Sequence, residues 1–209
     1  MDFQTEILHA AQTLAQGGVV AVPTDTLYGL AADALNPDGL ERVYAAKGRP
    51  ADMPLPVLVS GWEQSRQVAA VSAVDELLAR RLVETYWPGP LTMVLPAAPG
   101  LPNRLTAGRD TVAVRMPDHP VPLALAAALG RPITGTSANR SGEPDITDAD
   151  ELRRTLASRV DGIIVAGPKP AGAASTIVVV SGGIVSLLRE GVLPYERVLE
   201  TLGMVMPFE

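Results

Sequence analysis

Segments with apolar residues at helical spacing alternate along this chain with short apolar runs of strand length, and glycine or proline stands at most of the junctions. Residues 3–16 set Ile7, Leu8, Ala11, Leu14 and Ala15 along a helix that Gly17-Gly18 stops, and 19–22 follows as a buried strand. Residues 37–47 read as a helix opened by Pro37 and closed by Gly48, and 55–59 as a strand. Ser60 to Glu63 and Ser72 to Asp75 have the spacing of capping boxes, which predicts helices over 60–69 and 72–86. Trp87-Pro88-Gly89-Pro90 ends the second of these. Strands over 91–95 and 111–116, a helix over 121–129, a strand over 133–136, a helix over 148–156 and a strand over 162–165 come next. Residues 175–180 and 184–189 flank Ser181-Gly182-Gly183 as a β-hairpin, and 195–202 closes as a helix. Helices between the early strands and a hairpin at the end predict one α/β domain over residues 1–209 with a mixed sheet.

At 209 residues and 47% apolar, the chain can bury a sizeable core. Its 17 basic and 23 acidic side chains leave a charge of −6, which argues against a wide phosphate-gripping face. A small basic pocket in an acidic shell is compatible with that charge. Without cysteine there is no disulfide, thiolate metal site or cysteine nucleophile, and His9 and His119 are too few for a multi-histidine metal centre. Asp2 and Glu6 stand where a secretory signal has basic residues, and the most apolar stretch, 121–129, is too short to cross a bilayer. A soluble cytoplasmic enzyme or binding domain with no membrane contact is the expectation. The P-loop, Rossmann, H-E-x-x-H and G-x-S-x-G patterns are missing, so their chemistries lack their residues.

What remains is a set of polar clusters at the ends of apolar strands, where α/β sheets place ligands. In Pro23 to Leu30, the hydroxyls of Thr24 and Thr26 either hold a small polar ligand or cap a turn with Asp25. Lys47-Gly48-Arg49 either captures an anion or complements a helix C-terminus. Period two puts Thr111, Ala113 and Arg115 on one face of a strand, opposite Val112 and Val114, so Arg115 needs an anion or the solvated face of an edge strand. Thr136 to Gly142 offers hydroxyls and an amide to a nucleotide, or is a structural polar loop, and Thr147 has the spacing of a helix cap. In the hairpin, a two-residue turn sets Ser175 and Arg189 on opposite faces. A three-residue loop, or a bulge with the same effect, sets them on one face.

In combination these clusters resemble the YrdC/Sua5 family over almost the whole chain. The match is carried by Pro23 to Leu30, Lys47-x-Arg49-Pro50, Val114 to Pro120, Ser137 to Gly142, and Ser175-Thr176 with Arg189. The resemblance implies a twisted mixed β-sheet flanked by helices around a concave basic cavity, in the short single-domain form. It implies a threonylcarbamoyl-AMP synthase, a nucleotidyltransferase that joins L-threonine, bicarbonate or CO2 and ATP and releases pyrophosphate. The product then serves modification of adenosine 37 in tRNA. By resemblance Thr26, Arg115 and Ser175 hold threonine; Lys47 and Arg49 are catalytic; and Lys47, Arg49, Thr111, Ser137, Asn139, Thr147 and Arg189 face the nucleotide. Mg²⁺ is expected on the ATP phosphates, with no dedicated metal site. The implied partners are a tRNA-modifying threonylcarbamoyltransferase complex and, weakly, tRNA. A carbamoyl-adenylate-forming paralogue and a non-catalytic RNA-binding module are the alternatives. The chain departs from the family pattern at Met53 and Leu58, where Asn and His are common, and at Asp145-Ile146-Thr147, where Ser-Pro-Thr is common.

Overall fold

A computed structural model describes residues 2–204. In chain order the elements are α1 (Phe3–Ala15), β1 (Val20–Pro23), β2 (Tyr28–Ala31), α2 (Pro37–Lys47), β3 (Val57–Leu58), α3 (Trp62–Ser65), α4 (Ala73–Tyr86), β4 (Leu91–Pro96) and α5 (Asn103–Thr106). They continue with β5 (Thr111–Arg115), α6 (Pro120–Leu129), β6 (Ile133–Thr134), β7 (Thr136–Ser137), α7 (Ala149–Leu156), β8 (Gly162–Ile163), β9 (Thr176–Ser181), β10 (Ile184–Arg189) and α8 (Tyr195–Leu202).

The strands form two mixed sheets, one of four strands in the order β7-β2-β1-β8 and one of six in the order β10-β9-β4-β5-β3-β6. β1 and β2 are an antiparallel hairpin, so the segment after the first strand turns back at once instead of leaving as a loop. The expected strand over 133–136 is two strands. The chain leaves the six-stranded sheet at Thr134 and enters the four-stranded sheet at Thr136. Gly135 makes that crossing because a Cβ there would sit 2.4 Å from the Leu58 side chain. β1 is buried on both faces: Val19 and Ala21 join the larger core with Leu30, Leu40, Met93 and Val114, while Val20 and Val22 join a second core with α1 and α6.

Local signals place the longer helices. Asn36 caps α2 through the N–H groups of Asp38 and Gly39, and Gly48 ends it in the left-handed region at φ 59°. Two capping expectations are corrected. Ser60 caps nothing: the helix over 60–69 shrinks to Trp62–Ser65 with Gly61 at its N-cap position, and the Ser60 N–H donates to the Gln64 side chain at 2.8 Å. Thr147 does not cap α7; Asp148 does, accepting from the N–H groups of Asp150 and Glu151. The strands over 55–59 and 162–165 are also shorter than expected.

The hairpin β9–β10 closes with the two-residue turn Gly182-Gly183, both at positive φ as a turn of this kind demands. A bulge between Leu187 and Arg189 then sets Arg189 opposite Ile177, on the same face as Ser175. Asp75 secures the turn: its carboxylate accepts from the Gly183 N–H at 2.7 Å and from the Ser72 hydroxyl at 2.8 Å. The Gly183 N–H holds that carboxyl below its usual range. Asp75→Ala removes the charged acceptor of the half-buried Gly183 N–H and is expected to cost about 1–3 kcal/mol. Urea unfolding checks this as a lowered midpoint with an unchanged m-value.

Candidate active site

A hollow of about 550 Å³ opens between the two sheets. One wall is laid by strand alternation: Thr92 and Val94 of β4, Thr111, Ala113 and Arg115 of β5, and Ser175 and Ile177 along β9. Their neighbours Leu91, Met93, Leu95, Val112, Val114 and Val178 point away into the core. The other wall comes from Thr24 to Gly29 and from Gly135 to Ser137, and the rim from Arg49, Met53 to Pro56, Arg109 and Arg189.

Arg115 organises the floor. β5 lies between β4 and β3, so the edge-strand reading of Arg115 is corrected: its side chain is 7% exposed and each of its three nitrogens donates one hydrogen bond. Its Nε donates to the Gly89 carbonyl at 2.9 Å, Nη1 to Thr26 Oγ1 at 2.9 Å, and Nη2 to the Asp25 carboxylate. The turn-capping reading of the first cluster holds for Thr24. Thr24 Oγ1 caps the turn, accepting from the N–H groups of Thr26 and Leu27 and donating to the Leu27 carbonyl, while Thr26 faces Arg115. Ser175 Oγ lies 2.9 Å from Thr92 Oγ1, and Arg189 Nη2 donates to the Ser175 carbonyl at 2.9 Å.

Arg49 grips the rim, donating to the carbonyls of Met53 at 3.1 Å and Pro54 at 2.8 Å. Lys47 does not line the hollow. It is buried behind Ser137, and its ammonium donates to the carbonyls of Ser137 and Asn139. Asn139 is spent within the same loop: its Oδ1 accepts from Ser137 Oγ, and its Nδ2 donates to the Glu143 carbonyl. The structure therefore brings Thr26, Arg49, Thr111, Arg115, Ser137, Ser175 and Arg189 to one hollow, and leaves Lys47, Asn139 and Thr147 outside its walls. Thr92, Arg109 and Asp145 line it as well and are absent from the sequence-based set. The alternation of β4 exposes Thr92, and Arg109 lies two residues before Thr111; no signal in the sequence singles out Asp145.

The Sua5/YciO/YrdC family model, described as telomere recombination, matches residues 12–191. The chain belongs to this family. A threonylcarbamoyl-AMP synthase of Bacillus subtilis is 41% identical over 96% of this chain and 57% of its own length. A putative threonylcarbamoyl-AMP synthase of Mycobacterium tuberculosis is 39% identical over 95% of this chain and 89% of its own. The crystal structure of Pyrococcus abyssi Sua5 complexed with L-threonine superposes with a TM-score of 0.90 at 38% identity, over 98% of this chain and 59% of that one. The chain thus spans under two thirds of the length of the Bacillus and Pyrococcus relatives and most of the mycobacterial one.

Within this family member, two buried cations can be tested directly. Removing Asp25 leaves the Arg115 guanidinium in the interior without its counter-charge, so Asp25→Ala is expected to lose about 3–5 kcal/mol. Adding Arg115→Met to that variant should restore much of the loss, and denaturant midpoints of the three proteins measure both.

Burial, reinforced by the nearby Arg49 charge, lowers the Lys47 ammonium to about 8. Below that pH the folded and unfolded chains are both protonated at this site. Between about 8 and the ordinary 10.5 only the unfolded chain holds the proton, so this group makes stability rise with pH across that window. The rise should vanish in Lys47→Met, read as the difference between the two unfolding profiles.

Proposed function

We propose that this chain condenses L-threonine, bicarbonate or CO2, and ATP into threonylcarbamoyl-adenylate with release of pyrophosphate. The observation that carries this reading is one hollow holding Arg49, Arg109, Arg115 and Arg189 beside the hydroxyls of Thr26, Thr92 and Ser175. Relatives bearing the name threonylcarbamoyl-AMP synthase, and a relative crystallised with L-threonine, support it.

In this reading Thr26, Arg115 and Ser175 hold threonine. Arg49, Thr111, Ser137 and Arg189 face the nucleotide, while Lys47 and Asn139 hold Ser137 in place and Thr147 lies beyond that loop. The threonine amine takes up CO2 as a carbamate. A carbamate oxygen attacks the α-phosphorus, and the bond from that phosphorus to the oxygen bridging to the β-phosphate breaks. Every reactant is anionic at that moment, so the protein's contribution is charge neutralisation and alignment. Asp25 is committed to Arg115 and acts as a positioning residue rather than as the base for the amine. Mg²⁺ enters on the triphosphate as part of the substrate, held by phosphate oxygens.

The labile product passes to a threonylcarbamoyltransferase that modifies tRNA, which places the reaction in the cytoplasm. No helix among the described residues is long and apolar enough to cross a membrane.

Purified protein given threonine, bicarbonate, ATP and Mg²⁺ is expected to release pyrophosphate only when all are present. The product should have the mass of threonylcarbamoyl-adenylate. Release that ignores threonine, or that follows carbamoyl phosphate in its place, overturns the assignment and favours a carbamoyl-adenylate former.

A further inference from the structure

Most arginines of this protein have a carboxylate partner, but three of the four that line the hollow do not. Among the described residues, Arg42, Arg66, Arg80, Arg104, Arg115, Arg131, Arg140, Arg153 and Arg197 each have a carboxylate within 4.0 Å. Arg49, Arg109 and Arg189, which line the hollow, have none, and neither do Arg81, Arg154 and Arg159 outside it. Arg49 and Arg189 are tied to carbonyls of the rim and of Ser175. Arg109 has a single contact, from Nη2 to the Asp52 carbonyl, at the 3.5 Å limit of a hydrogen bond. An exposed guanidinium on the wall of a cavity, in a chain rich in carboxylates and yet without one, has its donors free for a ligand.

Depth indicates which part of the ligand. Thr26 and Arg115 are buried at the floor, and Arg109 is exposed at the mouth. The α-phosphorus has to meet the carbamate of the amino acid, so with threonine at the floor the remaining phosphates run outward. We propose that Arg109 binds the β- and γ-phosphates of ATP and holds the pyrophosphate as it leaves, an inference that rests on the function proposed above. When the carbamate oxygen bonds to the α-phosphorus, the electron pair of the breaking bond departs with the bridging oxygen on the β-phosphate. The planar fork of Arg109 meets that growing charge with two parallel N–H donors. Arg109 is then a catalytic residue for the leaving group.

The test compares binding of inorganic pyrophosphate and of AMP, each with Mg²⁺, to wild type, Arg109→Ala and Arg109→Lys by calorimetric titration. Pyrophosphate affinity should fall about tenfold in Arg109→Ala and less in Arg109→Lys, with AMP affinity changed by less than about twofold. The KM for ATP should rise by a similar factor while the KM for threonine stays put. An equal loss of AMP and pyrophosphate affinity would put Arg109 on the nucleoside instead and overturn the proposal. So would an unchanged pyrophosphate affinity, or a wild-type protein that binds no pyrophosphate. The titration needs no threonine, so a failure of threonine-dependent turnover would reject the proposed function and leave the reading of Arg109 to be decided by binding alone.

Discussion

The hollow depends on one buried cation. Arg115 stands at the end of β5, in the middle of the six-stranded sheet, and its guanidinium reaches the β1–β2 turn of the four-stranded sheet. A guanidinium taken out of water costs several kcal/mol unless its donors and its charge are met. Here Asp25 meets the charge, and Thr26 and the Gly89 carbonyl meet two more of the donors. Two remote segments, the β1–β2 turn and the chain at Gly89, are thereby held to one side chain of β5, and the cavity lies beside that junction. The pairing does not make the fold stable by itself, since a well-packed apolar group in that place would cost less to bury. It fixes the distance between the sheets and presents donors and hydroxyls at the floor.

Charge elsewhere is arranged to leave that cavity cationic. Arg66 and, on α4, Arg80 form a network with Glu63 and Glu76, and Arg42 and Arg104 reach Asp161 and Glu41. Such exposed pairs contribute little to stability. They offset positive charge on the outside, while three of the four guanidiniums that line the hollow carry no carboxylate partner. A chain with a net charge of −6 can then draw an anion inward, because a concave site with low-dielectric walls focuses the field of the few charges that line it. Whole-chain charge carried no information on the sign of the cavity.

Features of the site that follow from local periodicity were legible in the sequence. The alternation of Thr111, Ala113 and Arg115 against Val112 and Val114 is the alternation of the wall, and Asn36, Pro37 and Gly48 bound α2 where a capping rule puts them. Features set by side-chain competition were not legible. Gly61 rather than Ser60 takes the N-cap position of α3, and Asp148 displaces Thr147 because its carboxylate reaches two N–H groups of the first turn. Lys47 has the residue type and spacing of an anion ligand, yet its ammonium is turned onto the backbone of Ser137 and Asn139. Nothing in the local pattern states which way a four-carbon stem will point. The hairpin shows the same limit, since two glycines specify the turn, while the bulge that returns Arg189 to the face of Ser175 leaves no composition signal.

Met53 and Leu58, the two departures from the family pattern, both fall on the hollow, and the structure gives them different weight. Met53 sits on the rim, 44% exposed, where its carbonyl rather than its side chain is engaged by Tyr44 and Arg49. Replacing a polar side chain there removes a donor without disturbing the frame. Leu58 is a wall residue, almost fully buried, and its branched end occupies the volume that any side chain at position 135 would need. Gly135 is also the residue at which the chain crosses from one sheet to the other. The apolar wall and the crossing are therefore one packing unit, and a polar side chain at position 58 would have to find its hydrogen bonds against the backbone of that crossing. A leucine asks for no such partner, so the floor beside Arg115 is apolar at this point and its hydroxyls are those of Thr26, Thr92 and Ser175.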